Sequence, residues 1–301
     1  MLIMALNSIF AETKKRTMLF LILSVICSVT VGVIFKISRT YKIPSAQIVA
    51  FNYVFALALC YFIFAPDLTV LDNSSPWEIL IPLGILLPVV FLFLAVSIKH
   101  MGIVKTDVAQ RLSLIISILG AWLFFSEQFS GLKLTALLFG FPAIVLILDK
   151  PADNKENKWI YPALVLLGFG LIDLLFKQIA LTSTLPFTTS LLVLFSISLV
   201  IMVLFNGYEM LFQRIKIDFK SIIFGGLVGI FNFGNILFYL KAHKAFSQNP
   251  STVFAGMNMG VIVIGTLVGI FVFKEKVTRL NIAGLFLALM AVVFIVASQL
   301  N

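Results

Sequence analysis

Ionisable and amide side chains set inside long apolar runs are the groups of this sequence that could do chemistry. Each is costly in an apolar surround unless it pairs, hydrogen-bonds or meets a solute. Asp173 and Lys177 stand four residues apart in an otherwise apolar stretch, one turn along the same face if that stretch is a helix. Such a pair either holds a static salt bridge, with Lys177 snorkelling to an interface, or works. In the working case Asp173 exchanges a proton or binds a cationic group while Lys177 alternates between it and a solute. Arg111, with Gln110 beside it, follows Lys105 and Asp107 at the start of another apolar run. A guanidinium there either clamps a carboxylate or phosphate through parallel hydrogen bonds or anchors the helix near its end. Lys36 closes the first apolar run without an acidic partner, because Gly32 stands four residues before it, and reads as an interfacial anchor or a solute contact. The amides Asn52, Asn232, Asn235 and Asn258 need partners, which neighbouring helices or a polar solute could supply. Glu127 and Glu275 each end an apolar run just before a turn, where they are expected to cap and tie that turn rather than meet a solute.

Chemistry of other kinds lacks its residues. Cys27 and Cys60 lie inside apolar runs without a C-x-x-C spacing and read as packing residues, so no metal and no cofactor is expected. The two histidines, His100 and His243, stand beside lysines, and neither H-E-x-x-H nor G-x-S-x-G occurs, which argues against an enzyme. No G-x-x-x-x-G-K-[ST] segment is present to bind a nucleotide.

The elements that must carry these groups follow from composition. Of 301 residues 61% are hydrophobic, and the mean hydropathy is +1.11, more than a water-soluble domain needs. Helices of about 20 apolar residues satisfy their own backbone in lipid, and the runs here do not alternate as barrel strands would. Apolar runs fall near 18–35, 44–64, 78–98, 103–125, 132–148, 159–180, 186–206, 221–241, 252–273 and 280–298, so the expectation is an all-α integral membrane protein of about ten transmembrane helices. The net charge of +9 comes from Lys and Arg in short links, which points to lipid headgroups and not to nucleic acid. Gly225, Gly226 and Gly229, then Gly256 with Gly260 and Gly265 with Gly269, predict faces of close helix approach.

The polar stretch 149–158 sits near the midpoint and divides the chain into residues 18–150 and 151–301, after a leader over 1–17. The two halves echo each other in order. Phe35-Lys36 and then Pro44 match Phe176-Lys177 and then Pro186; Lys99-His100 matches Lys241-Ala242-His243; Phe125-Ser126-Glu127 matches Phe273-Lys274-Glu275. Five helices per half inverts the second half against the first, the arrangement by which secondary transporters open one site to either side; a duplicated scaffold would give the same echo. Basic residues crowd the links after the first, fifth, seventh and ninth runs, while the link after the second holds Asp67 and Asp72 and no Lys or Arg. That favours both termini outside, against the pull of Lys14, Lys15 and Arg16.

The run Asn258-Met259-Gly260-Val261-Ile262, then Phe273-Lys274-Glu275 and Asn281-Ile282-Ala283-Gly284, resembles the EamA-type members of the drug/metabolite transporter superfamily. The first-half counterpart, from Val108 through Arg111 to Glu127 and Leu132, is the looser match. The resemblance implies a ten-helix fold in a plasma (inner) membrane and non-ATP transport of a small metabolite or drug-like solute, with export the expected direction. Its alternatives are a ligand-binding membrane sensor or scaffold and an integral membrane enzyme on a lipid-linked substrate. The expected partners are a small solute and membrane lipid.

Overall fold

The computed structural model describes residues 2–125, 131–148, 158–182, 185–245 and 250–300, and no strand occurs among them. The helices are α1 (Leu2–Ser38), α2 (Ser45–Phe64), α3 (Trp77–Phe125), α4 (Gly131–Leu148), α5 (Ile160–Thr182), α6 (Phe187–Phe212), α7 (Phe219–Ala245), α8 (Pro250–Leu267, continued as a π-helical turn over Val268–Val272) and α9 (Arg279–Leu300). The segment expected as a leader is the first part of α1. Five of these elements hold segments long and apolar enough to cross a membrane: Met18–Tyr41, Ser45–Phe64, Trp77–Gly120, Phe187–Phe212 and Phe219–Ala242. Shorter apolar helices cover Gly131–Ile147, Ile160–Phe176, Gly256–Val272 and Arg279–Ile295.

Polarity is reversed relative to a water-soluble protein. Leu138, Val145, Leu211 and Phe271 are exposed, whereas Ser24, Asn52, Thr106, Asp107 and Ser198 are buried. Surfaces of this kind are stable in lipid, which solvates apolar side chains and leaves polar ones to find each other inside.

Helix α3 has 49 residues, which as one rod would be about 73 Å long, more than twice the apolar thickness of a bilayer. It is broken at Gly102, whose φ of 88° and ψ of 174° only glycine adopts readily. The two arms fold back beside each other. Val90, twelve residues before the break, touches α5 at Gly168, and Ile116, fourteen residues after it, touches α5 at Gly170. The hydroxyls of Ser97 and Thr106 meet at 2.7 Å across the arms, and Thr106 also donates to the Gly102 carbonyl at 2.7 Å.

Glycines set the closest approaches. A Cβ on Gly225 or Gly229 would stand 2.8 Å from the backbone carbonyl of Ile48 or Asn52, so α7 lies directly on α2. Gly256 and Gly260 receive Leu21 and Val25 of α1, and Gly265 and Gly269 receive Asp107 and Val104 of α3. The remaining principal pairings are α1 with α7, α2 with α6, α3 with α5 and α4 with α9. The acidic link between α2 and α3 is ordered locally: the Asp67 carboxyl is held below the usual range by the Thr69 hydroxyl, and that of Asp72 by the hydroxyls of Ser74 and Ser75.

Gly102→Ala should lower stability by about 1–3 kcal/mol through backbone conformation alone. A methyl there would also stand 2.5–2.7 Å from the Glu275 carboxylate. Denaturant unfolding in mixed micelles reads the loss, and an unchanged midpoint would mean that the break tolerates a side chain.

Candidate functional site

The break in α3 leaves the first amides of its second arm without intrahelical acceptors, and lipid offers none. Glu275 supplies them. Its Oε1 accepts the Ile103 amide at 2.8 Å, and its Oε2 accepts the Val104 amide at 3.1 Å. Lys36 donates its Nζ to the same Oε1 at 2.9 Å and lies 6.0 Å from the centre of the Phe273 ring. Lys274 adopts a left-handed conformation with φ of 53°, and the Glu275 amide donates to the Gly269 carbonyl at 3.0 Å. The backbone therefore ties the turn after α8, and the Glu275 side chain caps a different helix. Arg39 reaches the Lys99 carbonyl at 2.6 Å, so α1, the α3 hairpin and the end of α8 are knotted at one face of the bundle.

One to two turns further in lies a polar core. Arg111, on the second arm of α3, donates from Nη2 to the Ser28 hydroxyl of α1 at 3.0 Å, and its buried Nε has no hydrogen-bond partner. The carboxylates of Asp107 on α3 and Asp173 on α5 act on this guanidinium electrostatically, and Tyr239 on α7 is a further neighbour. Asp107 is 6% exposed and lies between Gly32 of α1 and Gly265 of α8. Beside this group the Ser24 hydroxyl, fully buried, contacts Asn235 Oδ1 at 2.8 Å and Met257 Sδ at 3.3 Å, joining α1, α7 and α8. Asn258 is buried on α8, and Gln110 is half-buried on α3.

Residues 15–149 match the EamA-like transporter family. A protein of Haemophilus influenzae described as uncharacterized is 38% identical over 282 residues, covering 90% of this chain and 95% of its own. The chain belongs to the EamA-like transporter family. Family membership places it in the drug/metabolite transporter superfamily as a multi-pass membrane protein, and members are generally transporters rather than enzymes. A protein crystal structure superposes with a TM-score of 0.60 at 14% identity, covering 95% of this chain and 99% of the other, which shows a shared fold.

In this EamA-like chain the residues singled out by type and spacing divide into three groups. Arg111 and Asp173 share the polar core, with Gln110, Asn235 and Asn258 on the helices around it. Lys36 pairs with Glu275, a contact between two residues that the sequence gives separate roles. Asn232 donates to Asn52 at 3.2 Å, so these two amides bind each other between α7 and α2. Lys177 lies on α5 with its side chain outside the described residues, and Glu127 is outside them altogether. His100 stacks on Tyr161 at 5.5 Å between ring centroids. Among the described residues no cluster of His, Cys, Asp or Glu could hold a metal ion.

Asp107, Tyr239, Ser24 and Ser28 escaped the sequence reading. For Asp107 the signal was present, because it precedes Arg111 by the same four residues that separate Asp173 from Lys177. The serines and Tyr239 gave none, since small hydroxyls are common in membrane helices and an aromatic in a chain with 31 Phe does not stand out.

Asn52→Leu and Asn232→Leu should each destabilise the protein by leaving the other amide unpaired. The double variant should recover part of the loss, with a coupling of about 0.6–1.7 kcal/mol in a double-mutant cycle. Strict additivity would show that the pair contributes no mutual energy.

Proposed function

We propose that this protein is a secondary transporter that moves a small solute bearing an anionic group across the plasma membrane, exporting it by alternating access between two inverted five-helix repeats. The observation that carries this reading is Arg111, a guanidinium with a buried, unpartnered Nε, set where α1, α3, α5 and α7 converge. A guanidinium whose Nη2 holds Ser28 and whose Nε is unpartnered suits a carboxylate or phosphate, and Asp107, with Asp173, balances its charge while the site is empty. Tyr239 and the neighbouring amides offer hydrogen bonds to the rest of the solute.

Helix pairing supports the repeats. Splitting α3 at Gly102 gives ten apolar rods among the described residues, five before position 149 and five after position 157. Under the exchange of halves, α1 becomes α5 and the first arm of α3 becomes α7. The contact of α1 with α7 then maps onto that of α5 with the first arm of α3. The contact of α1 with α8, through Leu21 at Gly256, maps onto that of α5 with the second arm, through Leu174 at Gly120. The pairs α2 with α6 and α4 with α9 map onto themselves. Two interdigitated bundles of this kind can rock about the shared core, drawing energy from an ion or solute gradient.

Thermal unfolding of the purified protein against carboxylates, phosphate esters, sugars, nucleosides, polyamines and lipophilic cations tests the reading. A ligand at about 100 times its dissociation constant adds about 2.7 kcal/mol to the folded state. The expected result is stabilisation confined to anion-bearing compounds and lost in Arg111→Lys, which keeps the charge but not the fork. Arg111→Lys should also slow counterflow of the same compound in liposomes by about tenfold or more, the equivalent of one charge-assisted hydrogen bond. Stabilisation by cations alone would overturn the anion assignment. Saturable binding with no flux in liposomes would make the chain a ligand-binding membrane sensor.

A further inference from the structure

Asp107 stands between the two assemblies described above. It is four residues, one turn, before Arg111 and three residues after Val104, whose amide Glu275 holds. Its Oδ2 is buried without a hydrogen-bond partner, and the electrostatic neighbours of its carboxylate are Arg111 and Glu275. The oxygen sits against Gly265 of α8, in the volume that an alanine methyl would fill, and Oδ1 faces Gly32 of α1. A solute group or a hydrated ion cannot reach Oδ2 without parting α8 from α3. A proton can.

We propose that Asp107 is a proton-binding site whose charge sets the strength of the Lys36–Glu275 latch on the α3 hairpin, and so couples the face closed by that latch to the core at Arg111. The inference does not depend on which solute is carried. Binding adds one proton to Oδ2, forming an O–H bond and changing Asp107 from minus one to neutral. The groups that feel this change are Lys36 on α1, Lys105 and Arg111 on α3, and Glu275 after α8, with Asp173 on α5 and Tyr239 on α7 acting through Arg111.

The sign follows from the charges. Ionised Asp107 repels ionised Glu275, and both draw on cations, Arg111 for one and Lys36 for the other. Protonation removes the repulsion, so Glu275 holds Lys36 and the amides of Ile103 and Val104 more firmly. Loss of the proton restores the repulsion and loosens the latch, while Asp107 turns its full charge on Arg111. Because coupling is reciprocal, whatever opens the latch must also lower the affinity of Asp107 for its proton.

Hydrogen exchange of the Ile103 and Val104 amides reads the latch directly in the solute-free full chain in nanodiscs. After correction for the intrinsic pH dependence of exchange, protection in the native protein should rise on acidification, by up to about tenfold per pH unit for a single linked proton. Asp107→Asn should hold the acid-side protection at every pH, Asp107→Glu should keep a pH response, and Glu275→Gln should abolish both the protection and its pH dependence. Flat protection in the native protein, or a full pH response surviving in Asp107→Asn or in Glu275→Gln, would overturn the proposal. If Asp107→Asn fails to fold, infrared spectra of the native chain with isotope-labelled aspartate decide. A protonated carboxyl band must appear over the pH range in which protection rises and persist in Asp173→Asn, and its absence sinks the assignment.

Discussion

A helix cannot be interrupted in a water-free setting unless something receives the backbone groups that the interruption exposes. The α3 hairpin depends on this constraint. Gly102 supplies the backbone conformation, and Glu275, 173 positions later in the chain, supplies the acceptors for Ile103 and Val104. Lys36 balances the charge so introduced. The helix turn in the first half, the end of α8 in the second half and the end of α1 are thus held by one carboxylate, and α3 fits the bilayer because of it.

The same requirement shapes the interior. Serines, amides and charged groups converge where glycines let helices approach, so that Asn52 meets Asn232, Ser24 meets Asn235, and Arg111 meets Ser28. Two kinds of polar group emerge. At α2 with α7 the Asn232 amide donates to the Asn52 side-chain carbonyl and serves packing, although Asn52 Nδ2 stays unpartnered, as do the charged atoms Arg111 Nε and Asp107 Oδ2. Charged groups with unmet hydrogen-bonding capacity where several helices meet are the ones available to a solute or a proton, which is why the functional reading rests on Arg111 and Asp107.

Charge is also distributed with economy. The described residues hold two basic and three acidic side chains in a path from Lys36 through Glu275 and Asp107 to Arg111 and Asp173. In a medium that screens poorly, a change at one member is felt by the next, so the face closed by the latch and the core are electrostatically connected without any side chain spanning the distance.

Hydropathy alone determined that the chain is helical and membrane-embedded, because the length and continuity of an apolar run report the solvent of the helix it forms. The stretch from Asn258 to Gly284, with Glu275 at its turn, carried the family resemblance, since turn chemistry is local. The candidates Arg111 and Asp173 were legible for the same reason: an ion in an apolar run is conspicuous whatever surrounds it. Only the tertiary structure decided what each group is for. Glu275 reads in the sequence as a cap for its own turn and proves to cap α3, and Asp107 reads as the start of a helix and proves to lie against Gly265 in the core. Asn52 and Asn232 are separated by 180 positions and hydrogen-bond to each other. Spacing along a chain reports neighbours within a turn or two, whereas the fate of a buried polar group is set by whichever distant helix packs against it.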